Sequence, residues 1–408
     1  MKKIAAIAIC VLTGCTLPAV ACNMPANRIA ADSVTPLSSA AFIHSYGNLG
    51  NFYRCVQQGK VTVTFLGGSI TNMQGWRDKV MQYLQEKYPS TQFTFINAGI
   101  PSLGSLPHAF RLQRDVLDKG KTDLLFVESA VNDHGNGTPE IQQRRSLEGI
   151  VRHALSANPA MNIVMMAFAD EDKTADYDAG RVPTEIKVHE DIAAHYHLPF
   201  INLAEEVAKR IANKEFTWKD DFKNLHPSPF GQQLYFLTIK ALLEQQTGRS
   251  VKKVTAKDTL PAPLQSLNYA VAGYRPVYTA TSLNNFAIQD NWQPQDSART
   301  RPGFVHVPVL QAIKAGASFE LNFTGTAAGI AVLSGPDAGM LEYSIDNGPV
   351  KTIDLYTRWS NNLHLPWYLL LGDELEKSTH VLKVKVAAVQ NAQSKGTACR
   401  IVYFLVND

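Results

Sequence analysis

Between residues 60 and 245 the chain alternates two hydrophobic rhythms. Short apolar runs rich in β-branched residues, VTVTFL (61–66), TQFTFINAGI (91–100), TDLLFVESAV (122–131), MNIVMMAFA (161–169) and LPFINL (198–203), are separated by stretches with helical spacing. In WRDKVMQYLQEKY the apolar Trp76, Val80 and Leu84 recur four apart, along one face of a helix. Strand and helix alternating four or five times predict a mostly parallel sheet with helices on both faces. After GRSVKKVTAKDTLPAPLQ (248–265), rich in Lys and Pro, the helical rhythm stops. Short alternating runs take over: SFELNF (318–323), GIAVLS (329–334), THVLKVKV (379–386) and RIVYFLV (400–406). LEYSIDNGPVKTIDLY (341–356) reads as a hairpin about an Asn347-Gly348 turn. This second texture predicts a β-sandwich of roughly 130 to 150 residues. The expected organisation is a leader over 1–21, an α/β domain over 22–250, a linker over 251–265 and a β-domain over 266–408.

Composition changes this picture little. With 408 residues, 45% hydrophobic and 18% charged, the chain is ordinary globular protein with room for about two domains. Of the formal charge of +3, Lys2 and Lys3 supply two, so nothing points to nucleic acid. The leader matters more. MKK followed by IAAIAICVL has the charged end and apolar run of an export signal, and two cleavage options follow. LTGC resembles a lipoprotein box that would lipidate Cys15, and AVA (19–21) resembles an ordinary signal-peptidase site. Either places the protein outside the cytoplasm, as a periplasmic or outer-membrane lipoprotein or as a secreted protein, with any membrane attachment made only through Cys15. No later stretch approaches the ~18 apolar residues of a membrane span. Cys22, Cys55 and Cys399 remain as disulfide candidates, and their scatter without CxxC spacing argues against structural zinc.

In an open parallel sheet, reactive groups gather where the strands' carboxyl ends open into loops. The first strand here ends at Gly67-Gly68-Ser69, the second at Gly99 followed by PSLGS, and the third at Val131-Asn132-Asp133-His134. His226 follows far downstream, in LHPSP. A serine hydroxyl needs a base to become a nucleophile, and the oxyanion it creates needs donors aimed at it. This set contains both: Ser69 with His226, and the Ser69 N–H, a glycine N–H and the Asn132 amide. Taken alone, Ser69 behind two glycines reads equally as a helix cap or a phosphate-cradling turn. No Walker pattern supports the latter, because Asp115 stands where the glycine before Gly120-Lys121-Thr122 should be.

In order and context, GGSIT, GIPSLGS, AVND and LHPSP resemble the four blocks of the SGNH, or GDSL-type, hydrolases, over roughly residues 60 to 245. The resemblance implies a flavodoxin-like three-layer α/β domain, joined here to a C-terminal, jelly-roll-like β-sandwich. It further implies a secreted or surface bacterial carboxylic ester hydrolase that removes acyl groups, above all acetyl, from a carbohydrate, with no metal or organic cofactor. Ser69 is then nucleophile, His226 base, and Ser69 N–H, Gly104 N–H and Asn132 the oxyanion hole, with Gly99 as the alternative glycine. Asp133 is expected to brace the serine loop. The family's acid stands three residues before the histidine, where this chain has Lys223; Asp221, then Asp220, are the nearest substitutes, or no acid completes the set. An acyltransferase or lipid-ester hydrolase would use the same blocks, and a degraded site would leave a glycan-binding protein.

Other motifs add less. His189 and His195 in VHEDIAAH lie six apart, about 240° around a helix, so they cannot share a metal as HExxH does. GxSxG is absent, which removes the other main serine-esterase fold. His134 is a candidate substrate contact. Trp359, Trp367 and Tyr368 crowd one segment of the β-rich half, as interdomain packing or as a wall of the substrate cleft.

Overall fold

The computed structural model describes residues 34–248 and 260–408. The leader with Cys15, Cys22 and most of the expected linker lie outside the described residues.

Six strands form the first sheet: β1 (Ile43–Ser45), β2 (Lys60–Gly67), β3 (Gln92–Gly99), β4 (Leu124–Glu128), β5 (Asn162–Ala167) and β6 (Pro199–Asn202), in the order β1-β6-β5-β4-β2-β3. All neighbours run parallel except β1, a three-residue edge strand antiparallel to β6 and too short for a sequence rhythm. β4 is buried along its whole length, as expected of a strand covered on both faces. Trp76, Val80 and Leu84 of helix Trp76–Lys87 are fully buried, and the Trp76 ring meets Phe65, Phe126 and Phe168 edge-on at 5.5, 6.1 and 5.6 Å between centroids.

The rest is antiparallel. One sheet orders β15 (Leu365–Gly372), β12 (Ala327–Ser334), β17 (Cys399–Asn407), β10 (Val307–Ala312) and β9 (Ala287–Trp292), with β7 (Ala272–Pro276) also pairing with β17. The other orders β14 (Lys351–Asp354), β13 (Met340–Ile345), β16 (Ser378–Val386), β11 (Ser318–Gly325) and β8 (Thr281–Asn284). Phe319, Leu321, Val384 and Phe404 lie in the core that the two sheets share. The β13–β14 turn differs from expectation by one residue. Gly348 N–H bonds Ile345 C=O at 2.8 Å, and Asp346 and Asn347 both have positive φ, so they are the central pair of a type I′ turn.

β12 joins the halves through period-two alternation. Ala328, Ile330 and Val332 enter the sandwich core, while Ala327 and Ala331 belong to the core of the α/β half. Tyr269, Tyr368 and Leu405 join them there, so one apolar cluster spans both halves. Arg145 adds a polar clasp: it pairs with Asp373 at 2.7 Å and Glu374 at 2.5 Å, and Tyr269 O–H donates to Asp373 at 2.9 Å. Cys55 and Cys399 are both free and buried, so neither forms the disulfide that remained open.

Without Arg145, Glu374 loses its ion-pair partner and Asp373 keeps only the Tyr269 O–H and the Glu374 N–H. Arg145→Met is expected to cost about 1 to 2 kcal/mol, below the scale for a buried pair because Glu374 is exposed, read as a lower midpoint in denaturant-induced unfolding; an unchanged midpoint would show that the clasp contributes nothing.

Candidate active site

Three adjacent strands, β4, β2 and β3, end level with one another: Gly67 pairs with Gly99, and Leu66 with Val127. Each then leads into a helix start, at Ser69, Ser105 and Ala130. Ser69 is the first residue of its helix, so its N–H is one of the donors that a helix leaves unpaired.

The two glycines are explained by crowding. A Cβ on Gly68 would lie 2.0 Å from Asn132 Nδ2, and one on Gly104 would lie 2.4 Å from Asp133 Oδ1. Only residues without a Cβ let these loops close on one another. Gly99 N–H is spent on Asn97 Oδ1 at 2.9 Å, whereas Gly104 N–H meets no protein acceptor among the described residues. That leaves Gly104 as the glycine able to donate. Asp133 does not brace the serine loop; its Oδ1 accepts from Ser105 N–H at 2.8 Å and Ser105 O–H at 2.9 Å, and so holds the Gly104 turn. Burial pushes the Asp133 carboxyl up to about 7.

His226 Nε2 lies 2.7 Å from Ser69 Oγ. With the hydroxyl donating, the ring's proton sits on Nδ1. The helix Pro229–Gln246 fixes the approach. Its Gln232 accepts from Trp76 N–H at 2.9 Å and reaches Met73 Sδ at 3.4 Å, which latches the helix behind His226 to the segment behind Ser69. The residue keeps an exposed edge, yet burial of the ring, and then the Arg301 guanidinium, hold its pKa below the usual 6.5.

The expected acid is not at the imidazole. Asp221 Oδ2 accepts from Thr217 N–H at 2.8 Å and Thr217 O–H at 3.3 Å, and Asp220 Oδ2 from the same hydroxyl at 3.3 Å. The cause is local: Trp218–Phe222 forms a single wide turn capped by Thr217, and Lys223 closes it at φ 82°, in a region L-residues seldom occupy. Both carboxylates therefore face back into their own turn. Among the described residues no carboxylate hydrogen-bonds to His226.

The β-rich half supplies residues that the sequence did not single out. Arg301 Nη2 donates to Ser102 Oγ at 3.2 Å, in the loop before Gly104. Arg358 donates to Gly135 C=O, in the helix carrying Asn132, and lies 4.5 Å above the ring of Trp359, which is 48% exposed. Tyr368 is buried against Tyr274 at 2.5 Å between hydroxyls, whereas half-buried Trp367 lines a cavity of about 150 Å³ with Ser102, Leu103 and Asn136, and Trp359 is exposed. His134 engages Asp172 at 3.0 Å and Glu185 at 3.6 Å. His189 is a buried helix residue bonded to Glu185 C=O at 2.7 Å and Ser129 N–H at 3.3 Å. No group of three or more His, Cys, Asp or Glu side chains among the described residues could hold a metal. A cavity of about 740 Å³ in the β-rich half, lined by Gln293, Asp296 and Arg400 among others, touches none of this machinery.

Residues 65–234 match the GDSL-like lipase/acylhydrolase family. Among curated proteins, none matches the chain. A solved two-domain esterase active on acetylated mannans, co-crystallized with mannopentaose, superposes with a TM-score of 0.75 at 19% identity over 92% of this chain and 99% of that one. A second structure of such an esterase gives 0.75 at 19%, over 91% and 98%. At that identity the likeness is one of fold, and it extends through both halves. An acetylxylan esterase from Geobacillus stearothermophilus, 18% identical, covers 45% of this chain and 94% of its own, with a TM-score of 0.38.

Gly68→Ala drives a methyl group into the Asn132 amide and is expected to lower kcat on a simple acetyl ester about 100-fold, the scale of losing one oxyanion donor; a near-normal kcat would separate Asn132 from the reaction. The pH dependence has a definite sign. If neutral His226 is the base, its depressed pKa means kcat/KM should stay level as pH falls through 6.5 and drop only below it. A drop centred at or above 6.5 would contradict the geometry.

Proposed function

Taking as premise that the α/β half belongs to the GDSL-like lipase/acylhydrolase family and is a carboxylic ester hydrolase, we propose that this protein removes O-acetyl groups from a polysaccharide. One observation carries the reading: Ser69 Oγ stands 2.7 Å from His226 Nε2 at a strand-end edge where three N–H donors have no other acceptor among the described residues.

The reaction then runs in two halves. Ser69 Oγ attacks the acetyl carbonyl carbon while its proton passes to His226 Nε2. Ser69 N–H, Gly104 N–H and the Asn132 amide hold the oxyanion. Its collapse breaks the bond to the sugar oxygen, which leaves with the proton from His226 and frees a sugar hydroxyl. Water attacks the acetyl-serine, again giving its proton to His226, and acetate departs as Ser69 recovers its proton. No side-chain acid steadies the imidazolium, so His226 works as one member of a dyad.

Acetyl on a carbohydrate is favoured over lipid esters by the shared two-domain fold with esterases of that specificity, and by Trp359, an exposed ring of the kind that stacks on sugars. We take the α/β half as the catalytic domain and the β-rich half as an accessory that walls the cleft. From the leader sequence we also propose export, with lipid attachment at Cys15.

Acetate release across a panel of acetylated mannan, xylan and pectin is the experiment. Release by the wild type, lost in Ser69→Ala, is expected; transfer of acetyl to an added sugar in excess of acetate release would sink the hydrolase. Asp221→Asn should leave kcat within about threefold, against the ~10⁴-fold loss known for a triad acid.

A further inference from the structure

Arg301 comes from the β-rich half, between β9 and β10, and ends in the loop before Gly104 with no carboxylate partner among the described residues. Its Nη2 donates to Ser102 Oγ at 3.2 Å, its Nε is buried with no hydrogen-bond partner, and burial and the neighbouring Arg299 both make its charge costlier. Arg145 and Arg400 share the buried, unpartnered Nε, but their other nitrogens hold carboxylates. Arg400 is paired with Asp337 through two bonds of 2.7 Å, and Arg145 holds Asp373 and Glu374. A guanidinium left unpaired at a partly desolvated position has donors to offer, in a fork that fits a carboxylate.

A second unmet demand sits at the same place. His226 has no carboxylate, and the positive charge that disfavours its protonated form is Arg301 itself. One carboxylate delivered between them would satisfy both. It would bind the guanidinium and, by neutralising it, remove the repulsion that opposes imidazolium formation in the transition state.

We propose that Arg301 is a substrate-binding residue for a carboxylate, and that the acetylated glycan this site takes carries a uronic acid next to the esterified sugar. This rests on the reading of the Ser69 site as a glycan O-acetylesterase and narrows it to acidic glycans. Because the carboxylate acts on the developing charge as well as on binding, its effect falls on kcat and not on KM alone.

The test is a matched pair: an O-acetylated oligogalacturonide as the free acid and as its carboxyl methyl ester, with acetate release measured for the full chain. The wild type should favour the free acid by about 10- to 100-fold in kcat/KM, the scale of a charged hydrogen bond. The ratio should collapse towards one in Arg301→Gln and survive in part in Arg301→Lys, with circular dichroism confirming that both fold. A wild-type ratio of one or less overturns the proposal without need of any variant, as does a preference that persists in Arg301→Gln. If neutral acetylated oligosaccharides are deacetylated and no preference for the acid is seen, the carboxylate site falls while the glycan esterase stands. If simple acetyl esters are cleaved but no acetylated sugar of either kind, both fall.

Discussion

The candidate site depends on one constraint, the close approach of three loops at the level ends of β2, β3 and β4. Register sets it: Gly67 opposite Gly99 and Leu66 opposite Val127 bring the loops out of the sheet together. The missing Cβ atoms at Gly68 and Gly104 then let the loops touch, the first against Asn132 and the second against Asp133. Side-chain chemistry alone would not give this. A serine and an asparagine on strands of different length would face different water, and a methyl group at either glycine would part them. His226 completes the arrangement from another direction, held to the serine side by the Gln232 latch to Trp76.

Packing carries the same logic across the molecule. Small residues on one face of β12, Ala327 and Ala331, let the β-rich half settle directly on the α/β core, and Arg145 clasps the two. Loops of that half consequently end beside the site, with Arg301 on Ser102 and Arg358 on Gly135. Residues of both halves thus meet beside the loop that carries Gly104 and the helix that carries Asn132.

Much of this was legible in the sequence, for identifiable reasons. Buried parallel strands read as near-continuous apolar runs, so β2, β4, β5 and β6 stood out; β3, a half-exposed edge, showed through the alternation of Phe93 and Phe95, while β1, three residues long, did not. The candidates Ser69, Gly104 and Asn132 were visible because each follows a strand, and His226 because it precedes the helix Pro229–Gln246. The acid was harder, since its place depends on a wide turn at Trp218–Phe222 that points Asp220 and Asp221 back at Thr217. Arg301 gave no signal at all. It sits in a segment without periodicity, and its nearness to Ser102 spans 199 positions of chain. The hairpin slipped by one residue because Asp346-Asn347 and Asn347-Gly348 are both acceptable turn pairs, and the Gly348 N–H to Ile345 C=O bond with positive φ at Asp346 and Asn347 fixes the first.

The most direct measurement of the central claim, that Ser69 activated by His226 alone forms a covalent acetyl-enzyme, is rapid-quench mass spectrometry of the protein mixed with p-nitrophenyl acetate. The account predicts an acetyl adduct on the peptide bearing Ser69, formed in a burst with nitrophenol release, absent in Ser69→Ala and much slowed in His226→Ala. Nitrophenol released without an adduct on that peptide, or an adduct formed as fast without His226, would contradict it.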